Sequence, residues 1–147
     1  MTITFKTKDL FTVPKDYILC HCISADFVMG AGIAKQFTNR GVKSYLKKHY
    51  KENIWSGEGY ALLSFATIWN AEFNLVTKEH YFDKPTLQTM KDALESMKSQ
   101  MYFSNTNKIA MPEIGCGLDK LNWIDVQNLL YETFKDTDID FLVCKWD

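Results

Sequence analysis

The chain is 147 residues long, 46% hydrophobic and 24% charged, with a formal net charge of −1. This composition suits one compact domain over residues 1–147 with a core of its own, and the 14% of aromatic residues exclude a disordered chain. The near-neutral balance excludes a protein that coats nucleic acid, no apolar run reaches the roughly 20 residues of a membrane helix, and the N-terminus lacks a signal-peptide pattern, so a cytoplasmic location is expected.

Residues 2–6 alternate, with Ile3 and Phe5 against Thr2, Thr4 and Lys6, and read as a short strand. Asp9, Leu10 and Phe11 then lead into a turn at Pro14-Lys15-Asp16. Tyr17–Ile23 is a nearly continuous apolar run, the pattern of a central strand covered on both faces. Inside it, Cys20, His21 and Cys22 invite a metal reading. Alternation along a strand puts the two thiols on one face and the imidazole on the other, so one tetrahedral site cannot gather all three. Buried free thiols in a reducing compartment are expected for Cys20, Cys22, Cys116 and Cys144.

Ser24-Ala25-Asp26 ends that strand, and a helix starts over Gly30–Phe37. A strand, a glycine-bearing loop and a helix N-terminus together make an anion site, but Gly30 and Gly32 serve a plain tight turn equally well. The loop carries neither the full G-x-G-x-x-G fingerprint nor the G-x-x-x-x-G-K-[ST] pattern, which disfavours dinucleotide oxidoreductases and P-loop hydrolases. Gly41 interrupts the helix, and Val42–Lys51 forms a second amphipathic piece with Val42, Tyr45, Leu46 and His49 on one side. Tyr60–Ile68 and Phe73–Thr77 read as a hairpin around Trp69-Asn70-Ala71-Glu72. Lys78 follows the second of these strands, where side chains enter strand-end crevices; position alone leaves it either solvated or functional.

Thr86 is the expected N-cap of a long helix whose Leu87, Met90, Leu94, Met97 and Met101 recur at spacings of three and four and face a core. His80, in the preceding loop, is assigned to loop contacts. Lys108–Met111 is a strand that feeds Pro112-Glu113-Ile114-Gly115-Cys116-Gly117-Leu118-Asp119. Two glycines two apart let backbone amides approach an anion, with Asp119 at its edge. Asn122 caps the last helix, which buries Val126, Leu129, Leu130 and Phe134, and Ile139–Cys144 is the final strand. Strands alternating with helices predict an α/β domain with helices on both faces of a mixed sheet. The two glycine loops are expected to face each other across a phosphate-bearing ligand.

Cys20-His21-Cys22-Ile23-Ser24, Met29-Gly30-Ala31-Gly32-Ile33-Ala34, Thr77-Lys78, Lys84-Pro85-Thr86 and Met111–Asp119 occur in this order over nearly the whole chain. Together they resemble macrodomains of the terminal ADP-ribose protein glycohydrolase type. The resemblance implies a three-layer α/β/α macrodomain with a central mixed sheet and ADP-ribose in a crevice at strand ends. It implies adenine contacts from Asp9 and Leu10, and Ser24 near the distal ribose. Gly30–Ala34 and Gly115–Leu118 would cradle the diphosphate and ribose, with His21, Pro112 and Ile114 also among the ligand-binding residues. Lys78 and Asp119 fall on the family's catalytic lysine and aspartate.

A lysine amine that is partly neutral can attack ribose C1″ and form a Schiff base, and an aspartate can move the protons, without metal or cofactor. The implied activity is removal of ADP-ribose ester-linked to acidic side chains, together with cleavage of O-acetyl-ADP-ribose. ADP-ribose and ADP-ribosylated proteins would be the partners of a monomer, with nucleic acid only as an ADP-ribosylated substrate. The alternatives are an ADP-ribose 1″-phosphate phosphatase and a non-catalytic ADP-ribose reader. Two departures stand out. His21-Cys22-Ile23-Ser24 replaces the Asn-Ala-Ala-Asn strand end of many macrodomains, so asparagine-supported water attack is not expected. Glu113 brings a negative charge into the ligand motif, with its direction left open.

Overall fold

The computed structural model describes residues 1–145; the last two positions of the expected 1–147 domain lie outside the described residues. Six strands, β1 (Thr2–Thr7), β2 (Ile18–Ser24), β3 (Tyr60–Ser64), β4 (Glu72–Lys78), β5 (Lys108–Met111) and β6 (Asp140–Lys145), form one sheet in the order β1-β6-β5-β2-β4-β3. Every neighbouring pair is parallel except β3 with β4. Helices α1 (Gly32–Asn39) and α2 (Val42–His49) cover one face, α3 (Leu87–Met101) and α4 (Trp123–Phe134) the other. This is the expected three-layer α/β/α arrangement with a mixed sheet.

The apolar run of β2 becomes a central strand because both of its faces are covered: Cys20 packs under α3 and α4, while Leu19 and Ile23 pack under α1 and α2. Thr86 caps α3 through the Thr89 amide, and the Thr89 hydroxyl accepts in return from the Thr86 amide, which closes a capping box. Met90, Leu94 and Met97 of that helix are fully buried, and each contributes about 2 kcal/mol of transfer free energy. Leu87 departs from the expected stripe; it opens the helix 39% exposed, and burial begins at Met90.

The hairpin is tighter than its sequence suggests. The first strand stops at Ser64 rather than Ile68, because residues 64–67 turn back to donate to the Glu72 carboxylate. Glu72 itself starts β4. The second amphipathic piece likewise ends at His49, about two turns after its Gly41 cap in the left-handed region.

The chain enters β4 on one side of β2 and then crosses through α3 to β5 on the other side. Sheets of this kind open a crevice beyond the carboxyl ends of the strands at such a reversal. Here the crevice lies beyond β5, β2 and β4.

Candidate active site

A cavity of about 710 Å³ occupies that crevice. One wall is the loop after β2, from Ser24 through Met29 to the first turn of α1. Phe27 and Met29 both hold left-handed backbone conformations (φ 54° and 48°), a strained choice for non-glycine residues. Their side chains are 0% and 4% exposed, so core packing enforces the conformation. Gly32 follows at φ 58°, which only glycine takes at low cost. The opposite wall is the loop between β5 and α4. Gly115 there has φ 74°, a conformation that strains any other residue, and a Cβ on it would press on the Met90 methyl at 2.8 Å.

Both loops present open donors. Among the described residues, the amides of Gly30, Ala31 and Gly32 on one side, and of Gly117, Leu118 and Asp119 on the other, donate to no protein acceptor. A buried backbone donor without a partner is costly, but these border an open cavity and are free for an anion.

Lys78 closes the end of β4, and Asp119 closes the second loop. Lys78 Nζ donates to Asp119 Oδ1 at 2.6 Å, and both side chains are 14% exposed. The two residues are 41 positions apart in sequence, and the parallel β4–β2–β5 arrangement brings them together. The short bond offers a direct path for a proton from nitrogen to oxygen. Cys22 lies in the same wall. Burial first, then the Cys20 thiol and the Asp119 carboxylate, hold its thiol well above the ordinary range, so it is neutral. Burial with Glu113 pushes Cys116 up to about 11.

Asp26 ties the wall to the loop after β4. Its carboxylate accepts from Ser24 Oγ at 2.5 Å and from the amides of Val28 at 3.1 Å and Tyr81 at 2.8 Å. Burial pushes its carboxyl up, but these three donors and nearby His80 outweigh it and hold it below the ordinary carboxylate range.

The cavity is lined by Ser24, Gly30, Ala31, Gly32, Ile33, Ala34, Lys78, Pro112, Ile114, Gly115, Gly117, Leu118 and Asp119 from among the residues anticipated above. Four others stand outside the lining. The His21 ring is fully buried on the other face of the sheet, stacked on Phe37 at 3.8 Å and bonded to Asn74 at 2.6 Å. Strand alternation turns it away from the side on which Cys22 meets the cavity. Asp9 caps a short 3₁₀ turn through the Phe11 amide, and Leu10 is buried beneath α1 and α2. The Cys116 thiol turns back on the Ile114 carbonyl at 3.3 Å.

Lining residues that the sequence did not single out as ligand contacts include Cys22, Val28, Tyr81 and Lys84. Alternation would have placed Cys22, since it lies one residue from His21 on the opposite face. Glu113 is half-buried and belongs to the cavity lining.

No family model matches the chain. The chain is similar to the ADP-ribose glycohydrolase OARD1 of Homo sapiens, 39% identical over 143 residues that span 96% of this chain and 90% of that protein. Its fold is similar to the macrodomain of Mycobacterium tuberculosis DarG, with a TM-score of 0.78, 23% identity and coverage of 98% of this chain and 97% of that one. It also matches Thermosipho africanus DarTG, solved in complex with ADP-ribose, with a TM-score of 0.72 and 20% identity over 99% of this chain and 42% of that one.

Proposed function

This chain belongs to the ADP-ribose glycohydrolase family of macrodomain proteins, and on that premise we propose that it binds ADP-ribose and hydrolyses its ester links to acidic side chains. The observation that carries this reading is the Lys78–Asp119 pair, held at 2.6 Å in the cavity wall beside two loops of open amides. A binding module has no need of a half-buried nucleophile paired to a proton acceptor.

The diphosphate sits between the two loops, where open amides and the N-terminus of α1 meet its charge. The distal ribose then reaches Ser24 and the end of β4. Asp119 takes a proton from Lys78, and the neutral amine attacks C1″. A carbon–nitrogen bond forms as the bond from C1″ to the acceptor carboxylate breaks, and the leaving carboxylate carries away the electron pair. The amine nitrogen then sheds a proton to solvent and Asp119 returns its own to the ring oxygen, so that the ribose opens to a Schiff base and the carboxylate is ready to act again. Water then adds to C1″ with its proton passed to Asp119, and free ADP-ribose and lysine are released. The same steps act on O-acetyl-ADP-ribose, with acetate leaving. Four free cysteines support a reducing, cytoplasmic setting, and no described helix is long and apolar enough to cross a membrane.

The test is release of ADP-ribose from a protein mono-ADP-ribosylated on glutamate, read by mass spectrometry beside Asp119→Ala. Release by the wild type alone is expected. Binding of ADP-ribose with no release by the wild type would leave a reader.

A further inference from the structure

We propose that Lys84 is a positioning residue: it latches the Asp119 loop in place by holding the carbonyl of Leu118. The inference rests on the reading of Lys78 and Asp119 given above and extends it to a residue that touches neither.

Lys84 lies in the connection between β4 and α3, in the cavity lining, just ahead of buried Pro85. Its ammonium donates to the Leu118 carbonyl at 2.7 Å. Lys78, the other lysine of the lining, has its charge matched by Asp119, whereas Lys84 makes no salt bridge among the described residues. A lysine that gives its charge to a neutral carbonyl is using it to hold backbone.

The backbone it holds is critical. The Leu118 carbonyl belongs to the peptide unit that continues into Asp119, and a trans peptide points its carbonyl and amide in opposite directions. Fixing the oxygen toward Lys84 turns the Asp119 amide the other way and sets the origin of the Asp119 side chain. Few other bonds hold this stretch: the Gly117 carbonyl accepts from Lys120 at 3.2 Å and the Gly115 carbonyl from Leu121 at 2.7 Å, while the amides of residues 117–119 are open. The Leu118 side chain is 64% exposed, and its methyl lies 3.5 Å from where a Cβ on Gly32 would stand, so it bridges to the first loop across the cavity. One ammonium therefore fixes the bridge between the loops, the direction of an open amide and the partner of Lys78.

The experiment compares Lys84→Met, which keeps the apolar stem and removes the donor, with Lys84→Arg, which keeps a cationic donor. Two readouts are taken: hydrogen exchange of the bonded amides of this segment, those of Cys116, Lys120 and Leu121, in the ligand-free protein, and single-turnover release of ADP-ribose from glutamate. Losing a charge-assisted hydrogen bond in Lys84→Met should speed exchange of that segment and slow turnover, each by about ten- to a hundred-fold, with protection of α3 unchanged. Lys84→Arg should recover most of both. Wild-type exchange and turnover in Lys84→Met would overturn the latch. So would a rise in KM alone that fades at high salt, since that outcome makes Lys84 a charge for the ligand. A wild type without turnover would sink the hydrolase reading, while the exchange data would still decide whether Lys84 holds the loop.

Discussion

The two ends of β4 carry opposite solutions to the same difficulty. At its start, Glu72 is wholly buried, and its carboxylate accepts from the Ser64 hydroxyl, the Ala66 amide, and the amide and hydroxyl of Thr67 at 2.8–3.4 Å. Among the described residues no cation meets it; burial pushes its carboxyl up, against the pull of these donors. At the other end, Lys78 has a full counter-charge and shares its cavity with two loops of amides without partners among the described residues. Where every donor is matched, the chain builds a fixed corner. Where donors are left over, a ligand can complete the set. The difference between structure and function here is the count of satisfied groups, since burial and charge occur at both ends.

Substitutions at the two ends should fail in different ways. Lys78→Ala is expected to lower turnover about a thousand-fold or more while ADP-ribose still binds, as read by single-turnover release and calorimetry. Normal turnover in that variant would remove the covalent step. Glu72→Ala should do the reverse. It strands several buried donors and lowers unfolding free energy by about 3 kcal/mol in urea titration, with little change in the rate of the folded protein.

The effect confined to acid pH belongs to His21, joined to the corner through Asn74, whose amide donates to Ser64 Oγ at 2.9 Å. Burial holds the imidazole down at about 4 from an ordinary 6.5, against the pull of Asn74. The unfolded chain thus takes up the proton first as pH falls. His21 gives stability that is full above pH 6.5 and lost as pH drops toward 4, up to about 3 kcal/mol in the limit. Asp26, with its carboxyl held low, acts in the same direction at more acidic pH. In His21→Leu, the fall in stability between about pH 7 and pH 4 should shrink; an equal fall would assign the acid lability elsewhere.

Much of this was legible in the residues. The apolar run of Tyr17–Ile23 announced the central strand, the methionine stripe announced α3, and the two glycine loops announced open amides at strand ends. Lys78 and Asp119 could be marked but not joined, because their contact depends on a crossover that brings β5 beside β2. His21 was grouped with the ligand contacts although its parity with Cys22 sends it to the other face. Glu72 read as part of a turn, since its donors sit five to eight residues away in a fold-back that no periodicity encodes. Tyr81 and Lys84 lie in an irregular loop whose path comes from tertiary contacts to Asp26 and Leu118.

The register between β1 and β6 reaches back to how the molecule is made. Thr2 pairs with Asp140 and Lys6 with Cys144, and among the described residues β6 is the one strand paired with β1. On the ribosome, β1 emerges 138 positions ahead of the residue that pairs with Thr2, and waits that long for its mate. Over that interval the exposed edge of β5 is also uncovered, because β6 separates it from β1. The last strand thus closes two open edges in one step, and a nascent chain halted before residue 140 presents both to its neighbours.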